Sequence, residues 1–360
     1  MSTNPNLRLC PTLRSAERPE GTVTPPSREA PRGTRRKGGT TPRYCARVSL
    51  YVVIGFGPAG AATARLLVEK GHSVRVITTS GRSAEPGIEH LAFDAADRER
   101  LSEAAQGAAA IVSCAGMPYH RWADVWPRLA SSLCAAAEAT GAVLVMLGNL
   151  YGYGPVDGPM TEELPLAATG PKGRVRAAVW QQARDLHEQG RIKAVEVRAS
   201  DFFGPGVTDG GHLAGRVMPR LLRGKPVSVF GDPDVPHSWS YLPDVARALV
   251  EVAGTERAWG RAWHVPNEPA RSVREMVDRL AAESGSGTVA VRRLSPAVLG
   301  VASLVSPLIR EMKEIRYQFD RPFVVDASAY EAAFAVRATP LDEQVKVTVD
   351  WWREQLAGTG

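Results

Sequence analysis

Short apolar runs alternate with longer segments of helical periodicity along most of the chain. Residues 51–54 form an aromatic and β-branched run, and in residues 73–77 polar and apolar positions alternate up to Val76, as in a strand. The segment between them is rich in alanine and ends at Gly71. The pattern therefore predicts a strand, a helix and a second strand, in that order.

The same alternation continues beyond this first unit. It predicts strands at 90–94, 109–114, 142–147 and 194–198, and helices at 98–106, 122–139 and 174–188. Strands that alternate with helices are typical of an α/β fold with a doubly wound parallel sheet. Ligands of such sheets bind at the carboxyl ends of the strands, so we expect the functional residues in the loops that follow them.

The pattern divides the chain into three regions. We expect residues 1–46 to be a disordered basic tail and residues 47–206 to be an α/β domain, to which residues 240–265 return. From residue 207 to 360 the elements become shorter and less regular, which predicts mostly a smaller substrate-binding lobe and a C-terminal helix. Asp244 precedes an apolar helical segment at 245–252, and we expect it to be the N-cap of that helix.

A glycine-rich loop follows the first predicted strand directly. Its six residues are Gly55, Phe56, Gly57, Pro58, Ala59 and Gly60. In a GxGxxG loop of this kind, the first glycine permits a tight turn, the second lets a pyrophosphate approach the backbone, and the third lets the helix pack closely on the strand. With strands and a helix around it, the loop predicts a Rossmann dinucleotide-binding unit.

The charge of the chain does not indicate a nucleic-acid partner. The net charge is +6, but residues 1–46 contain nine of the 44 basic residues and three of the 38 acidic ones, which leaves 35 of each beyond the tail. The tail has no apolar core of a secretory signal, and no run of apolar residues is long enough to span a membrane. We expect no nucleic-acid or membrane partner.

The cysteines indicate neither a disulfide framework nor a metal site. Cys10, Cys45, Cys114 and Cys134 show no CxxC spacing, and no cluster of His, Cys, Asp and Glu has metal-ligand spacing. We expect a reducing, cytoplasmic setting and no metal.

Five segments in a fixed order carry a family resemblance. They are the glycine loop, 152–155 (GYGP), 198–206 (RASDFFGPG), 241–246 (YLPDVA) and 339–341 (TPL). Together they resemble an extended short-chain dehydrogenase/reductase of the NAD(P)-dependent epimerase/dehydratase family, over residues 47–358. The resemblance implies a Rossmann domain with a smaller C-terminal lobe, and a nicotinamide cofactor.

The resemblance also implies a catalytic Ser or Thr after the fifth strand and a Tyr-x-x-x-Lys pair on the next helix. This chain has Asn149, Lys172 and Arg176 at those three positions. Lys172 could act as an acid or base if burial and Arg176 lowered its pKa, whereas Arg176 could only bind charge or ribose. Either cation could instead face phosphate or solvent. Tyr151 is the candidate for the missing phenol.

The end of the second strand favours NADP over NAD. NAD-binding members usually have an acid there, but residues 78–82 contain none, and Thr79 and Arg82 suit a 2′-phosphate. Asp94 could meet the adenine or cap its own loop, while Ala115 and Gly116 would lie beneath the nicotinamide-side ribose. The GPAG sequence of the loop also resembles the fingerprint of flavoproteins that bind FAD. Those proteins normally have an acid at the end of the second strand, and this chain has none there, so FAD is less favoured than NADP.

The substrate is predicted only by class. Members that act on nucleotide sugars commonly bind the diphosphate with an arginine where this chain has His237, so a nucleotide-diphosphate sugar is disfavoured. The candidate contacts to substrate are Tyr119, His120, Phe202 and His237. We therefore expect an NAD(P)-dependent oxidoreductase or epimerase acting on a small carbonyl, hydroxyl or sugar-like substrate.

Two other functions stay open at this point. One is a non-catalytic NADP(H)-binding sensor or regulatory protein, which the changed catalytic set would suit. The other is an FAD-binding flavoprotein.

By analogy with the family, the helices near 122–139 and 174–189 could form a homodimer interface.

Overall fold

The computed structural model describes residues 48–81, 85–208, 210–295, 299–300, 303–304 and 306–358. The predicted tail and Arg82 lie outside the described residues. The strands are β1 Leu50–Ile54, β2 Ser73–Thr78, β3 Ile88–Ala92, β4 Ala108–Ser113, β5 Val143–Asn149, β6 Lys193–Ala199, β7 Asp201–Phe203, β8 Val227–Val229, β9 Trp239–Tyr241, β10 Ala262–His264 and β11 Val291–Arg293.

The helices connect these strands in chain order. They are α1 Pro58–Glu69, α2 Arg98–Ala104, α3 Trp122–Thr140, α4 Pro171–Glu188, α5 Met218–Leu221, α6 Leu242–Ala253, α7 Val273–Ser284, α8 Pro307–Glu311, α9 Tyr317–Asp320, α10 Ser328–Phe334 and α11 Leu341–Ala357. Short 3-10 turns cover Tyr119–Arg121, Tyr151–Tyr153 and Glu256–Ala258.

Seven strands form one parallel sheet in the order β10-β6-β5-β4-β1-β2-β3. The chain reverses its direction of travel between β1 and β4, where a doubly wound sheet opens a ligand crevice at its carboxyl edge. This sheet confirms the predicted α/β fold class. The division into two lobes near residue 206 stays a prediction.

Side chains of alternate strand residues enter different apolar layers. Val53 packs in the layer that includes residues of α1 and α6, and Val52 in the layer with residues of α2, α3 and α4. Neighbouring residues of a strand point to opposite faces, so a strand covered on both sides needs apolar residues throughout. This explains why residues 51–54 contain no polar position.

The predicted N-cap role of Asp244 is wrong. Helix α6 begins at Leu242, with proline in its first turn, so Asp244 already lies inside that turn. Its buried carboxylate accepts hydrogen bonds from the backbone N–H of Thr339 at 2.8 Å and from the Thr339 hydroxyl at 2.7 Å, and it pairs with Arg247. Asp244 therefore joins α6 to the segment that leads into α11.

Candidate active site

The glycine loop is tightly packed at its first and third glycines. Gly55 has a φ of +90°, and a Cβ there would lie 2.9 Å from the Cys114 carbonyl oxygen. A Cβ on Gly60 would lie 2.1 Å from the Gly55 carbonyl oxygen. Neither position has room for a side chain, as the sequence pattern predicts for a βα turn that brings α1 close to β1.

The second glycine has the opposite environment. A Cβ on Gly57 would meet no described atom within 4 Å, and the residue is exposed and caps the N-terminus of α1. The N–H groups of the first helical turn have no partner within the helix, so they attract an anion. This open cradle fits a dinucleotide pyrophosphate.

The neighbouring loops surround this cradle. Ala115 lies against Gly55, and Gly116 is exposed after it. Phe56 packs edge-to-face on His90 at 5.1 Å, and Ala59 is buried in the core below. Exposed Asp94 accepts a hydrogen bond from the backbone N–H of Ala96 at 3.0 Å, so its carboxylate caps its own loop.

The end of β2 offers no acid to a ribose within residues 78–81. Thr79 is exposed, and the Thr78 hydroxyl accepts a hydrogen bond from the Gly81 N–H at 3.0 Å. The next acid, Glu85, is held by the Arg65 guanidinium through two hydrogen bonds of 2.8 and 2.6 Å. Its carboxylate is therefore already paired with α1.

Two phenols meet at the carboxyl edge of neighbouring strands. Tyr119 follows β4 and Tyr151 follows β5, and their hydroxyl oxygens are 2.9 Å apart. The Asn149 side-chain oxygen accepts the Tyr151 N–H at 3.2 Å, and Trp122 stacks on the Tyr151 ring. Burial raises the pKa of Tyr151 well above its ordinary value, and the nearby Tyr119 phenol and the charge of Asp201 raise it further, so the phenol remains protonated.

The condition for an acid–base role of Lys172, a pKa lowered by burial and Arg176, is not met. Its ammonium donates hydrogen bonds to Glu311 at 2.6 Å and to Glu314 at 3.0 Å. Burial alone would lower the pKa of Lys172, but these two carboxylates outweigh burial and raise it. The sequence could not show this, because the acids are 139 and 142 positions away.

Arg176 lies behind the site rather than in solvent. The guanidinium donates to the Leu147 carbonyl at 2.7 Å, packs over the Trp126 ring and lies 4.0 Å from the Glu196 carboxylate. Burial lowers its pKa. Its side chain is only 5% exposed, so the solvated position considered for it is wrong, and a phosphate-facing role stays a prediction.

His237 belongs to a polar cluster that the sequence reasoning mostly missed. Its Nε2 lies 2.8 Å from the Asp201 carboxylate, and its Nδ1 lies 3.3 Å from the Gln318 carbonyl oxygen. Burial would raise the pKa of Asp201, but the hydrogen bond and charge of His237 lower it overall. His212 interacts with both residues, and burial lowers its pKa to about 4, so its imidazole is neutral near pH 7.

Three members of this cluster, Asp201, His212 and Gln318, were absent from the sequence-based prediction. Asp201 lies in the 198–206 segment that carried the resemblance, so its charge there was a usable signal. Charge on Asp201 raises the pKa of both Tyr119 and Tyr151, so the cluster and the two phenols interact electrostatically. Gln318 gave no signal, since it lies in a short helix far along the chain.

The remaining substrate candidates lie in different surroundings. His120 is exposed on the 3-10 turn, and no contact in the described residues joins it to the cluster. Phe202 is half-buried and packs against the core beside α6 and the sheet. Their contact with substrate stays a prediction.

The sheet order, the switch point and the open glycine cradle define a dinucleotide-binding protein of the Rossmann type. Residues 51–265 match the NAD dependent epimerase/dehydratase family. The chain belongs to that family, and the predicted resemblance is confirmed.

Two related sequences are dTDP-glucose 4,6-dehydratases. The one from Neisseria gonorrhoeae is 26% identical over 199 residues, which cover 54% of this chain and 49% of the relative. The one from Xanthomonas campestris pv. campestris (strain B100) is 23% identical over 241 residues, or 64% of this chain and 61% of the relative. The matches thus span about half to three-fifths of the relatives' length.

Solved structures share the fold over more of the chain. A dTDP-glucose 4,6-dehydratase from Bacillus anthracis in complex with NAD has a TM-score of 0.71 at 16% identity, covering 85% of this chain and 97% of the other. A UDP-glucose 4-epimerase from Thermotoga maritima with UDP-glucose has a TM-score of 0.70 at 16% identity, covering 85% and 99%. At such identities the likeness shows the fold.

The described part of the chain also bears on the membrane and metal expectations. Among the helices within the described residues, none is both long and apolar enough to cross a membrane. In the same part of the chain, no group of three or more His, Cys, Asp or Glu side chains could hold a metal ion.

Proposed function

We propose that this protein is an NAD(P)-dependent oxidoreductase that interconverts a hydroxyl and a carbonyl group on a small, sugar-like substrate. The observation that carries the proposal is the Tyr119–Tyr151 phenol pair, with its oxygens 2.9 Å apart at the carboxyl edge next to Asn149. Together with the glycine cradle, the pair supplies a proton donor on the cofactor side of a Rossmann sheet.

The chemistry assigned to Tyr151 is proton donation. In the family pattern a lysine lowers the tyrosine pKa, but here the pKa of Tyr151 is raised because the phenol is buried. A protonated phenol donates to a carbonyl oxygen that becomes an alkoxide, which favours the direction of carbonyl reduction. Tyr119 holds the second hydroxyl and can replace the donated proton. A bound reduced nicotinamide would supply the hydride.

NADP is the proposed cofactor, in preference to NAD. The exposed hydroxyls at the end of β2 and the pairing of Glu85 with Arg65 leave no free carboxylate for the ribose hydroxyls in the described part of that loop. The first turn of α1 and Gly57 would hold the pyrophosphate.

The relatives support a sugar-like substrate, since those named above are dehydratases or epimerases of nucleotide-linked glucose. A nucleotide diphosphate is disfavoured at His237, because its Nε2 is already bonded to Asp201 and is not free to bind a phosphate oxygen. A homodimer through α3 and α4 and a cytoplasmic setting complete the proposal. Sedimentation of the full chain would test the dimer.

The test is NADPH oxidation by the full chain with a panel of sugars, sugar nucleotides and simple ketones. We expect Tyr151→Phe to lower turnover by about 100-fold or more, because proton transfer typically contributes that much. Tyr119→Phe, the matched control, removes the partner hydroxyl and should lower turnover less. Full turnover by Tyr151→Phe would show that the phenol does not donate the proton.

A second candidate is a non-catalytic NADP(H)-binding protein. It is favoured by the commitment of both Lys172 and Arg176 to contacts within the protein. This candidate predicts that NADPH and NADP bind with different affinities and that no compound in the panel is turned over. One confirmed steady-state turnover would exclude it.

A further inference from the structure

A segment near the C-terminus crosses the polar cluster. We call residues 306–320, which contain α8 and α9, the strap. Helix α8 lies against the Tyr119–Arg121 turn, and the Phe319 carbonyl accepts the Asp232 N–H at 2.7 Å. The strap therefore touches both the phenol pair's turn and the loop before β9.

The strap is held at the first turn of α4. The Lys172 ammonium bonds to Glu311 and Glu314, and the Lys172 backbone N–H donates to Glu314 at 2.7 Å. A Cβ on Gly170 would lie 2.3 Å from a carboxylate oxygen of Glu314, so the Glu314 side chain packs closely on the backbone before the helix. Three hydrogen bonds and this close contact thus join two segments far apart in sequence.

The other end of the strap completes the cluster. The Gln318 carbonyl faces His237, and the Phe319 ring stacks on His237 at 5.9 Å and on His212 at 4.9 Å. The Gln318 side chain is 2% exposed and close enough to Tyr151 to affect its pKa, yet its Nε2 forms no hydrogen bond of ordinary geometry. The strap therefore brings an unpaired buried donor beside the phenol proposed to react.

We propose that Lys172 is a positioning residue: its ammonium anchors the strap over the substrate cluster and transfers no proton. Both acids that it binds belong to the strap, and its ammonium also lies 5.6 Å from the Tyr119 ring centre. A substrate reaches the buried cluster when the strap lifts, and the ion pairs of Lys172 hold it closed. This inference concerns the strap itself and stands whether or not the proposed reaction is correct.

The test is amide hydrogen exchange of residues 306–320 in the full chain. We expect Lys172→Met to raise exchange in the strap by about tenfold or more and to leave β1 and α1 unchanged, because a local opening becomes easier. Lys172→Arg keeps the charge and the donors and should restore protection. Lys346→Met removes an exposed lysine that pairs with Asp350, and it should change nothing in the strap.

A second variant distinguishes loss of the anchor from global unfolding of Lys172→Met. Glu314→Gln keeps the lysine and weakens one of its partners, so it should raise strap exchange by a smaller factor. Unchanged hydrogen exchange of the strap in both variants would show that Lys172 does not anchor it. Where turnover is found, Lys172→Arg should retain it, since arginine does not exchange a proton near neutrality. If Lys172→Arg loses turnover while the strap stays protected from exchange, Lys172 transfers a proton and is not only an anchor.

Discussion

The glycine loop and the first turn of α4 lie at the same edge of the sheet, but they keep the family pattern to different degrees. The loop keeps all three glycines, with Gly55 and Gly60 packed against backbone and Gly57 open. At α4, a lysine and an arginine occupy the tyrosine and lysine positions, and both are used within the protein. A cradle made of backbone thus lies at the same edge as a helix start whose two cations are bound within the protein.

The glycine loop depends on close backbone approach at some of its glycines only. Substitutions at Gly60 and Gly57 should therefore have different effects on stability and on cofactor affinity. Gly60→Ala places a Cβ 2.1 Å from the Gly55 carbonyl oxygen and should lower the free energy of unfolding by about 3 kcal/mol. Gly57→Ala meets open space, so stability should hold while NADPH affinity falls about tenfold. Denaturant unfolding and fluorescence titration measure the two effects. Equal stability loss in both variants would contradict this division of roles.

The free energy of unfolding should fall at acid pH because of His212, which belongs to the polar cluster with Asp201 and His237. Burial lowers its pKa to about 4, although the charge of Asp201 opposes the shift. The unfolded chain binds this proton near pH 6.5 and the folded chain only near 4, so stability from neutral His212 is present above 6.5 and lost as the pH falls toward 4. The loss is at most about 3 kcal/mol.

Unfolding at a series of pH values between 4 and 7 tests this expectation. His212→Phe keeps a ring against Phe319 and removes the titrating group, so its stability should fall less over that interval. The exposed His120 provides the matched control, and His120→Phe should keep the wild-type slope. An identical slope in His212→Phe and the wild type would show that His212 is not the source.

Two buried glutamines provide the smallest expected effect. The Gln344 side chain donates to the Thr339 carbonyl at 2.6 Å, whereas Gln318 Nε2 has no partner in the described structure. Gln344→Met should cost about 1–2 kcal/mol, because a hydrogen bond is lost and a carbonyl is left unpaired. Gln318→Met should leave the melting temperature unchanged or raise it. An equal drop in both would mean that the Gln318 amide is structurally bonded.

The same comparison explains which parts of the site could be predicted. The loop was found because its geometry depends on residues adjacent in sequence, where each glycine answers a local steric demand. The phenol candidate Tyr151 was also found locally, since it follows β5 within two residues. For Lys172 the position was identified, but the condition for an acid–base role, a lowered pKa, is not met, because the acids that bind it come from the strap.

Sequence by itself determined the parallel α/β sheet, the dinucleotide loop and the family. These features follow from local periodicity and from backbone demands that only particular residues meet. Tertiary structure decided which partners the polar side chains near the proposed substrate site bind. It paired Lys172 with Glu311 and Glu314, His237 with Asp201, and Tyr119 with Tyr151. Charge and hydrogen bonding depend on distance in space, and the fold alone brings these distant residues within 3 Å of one another.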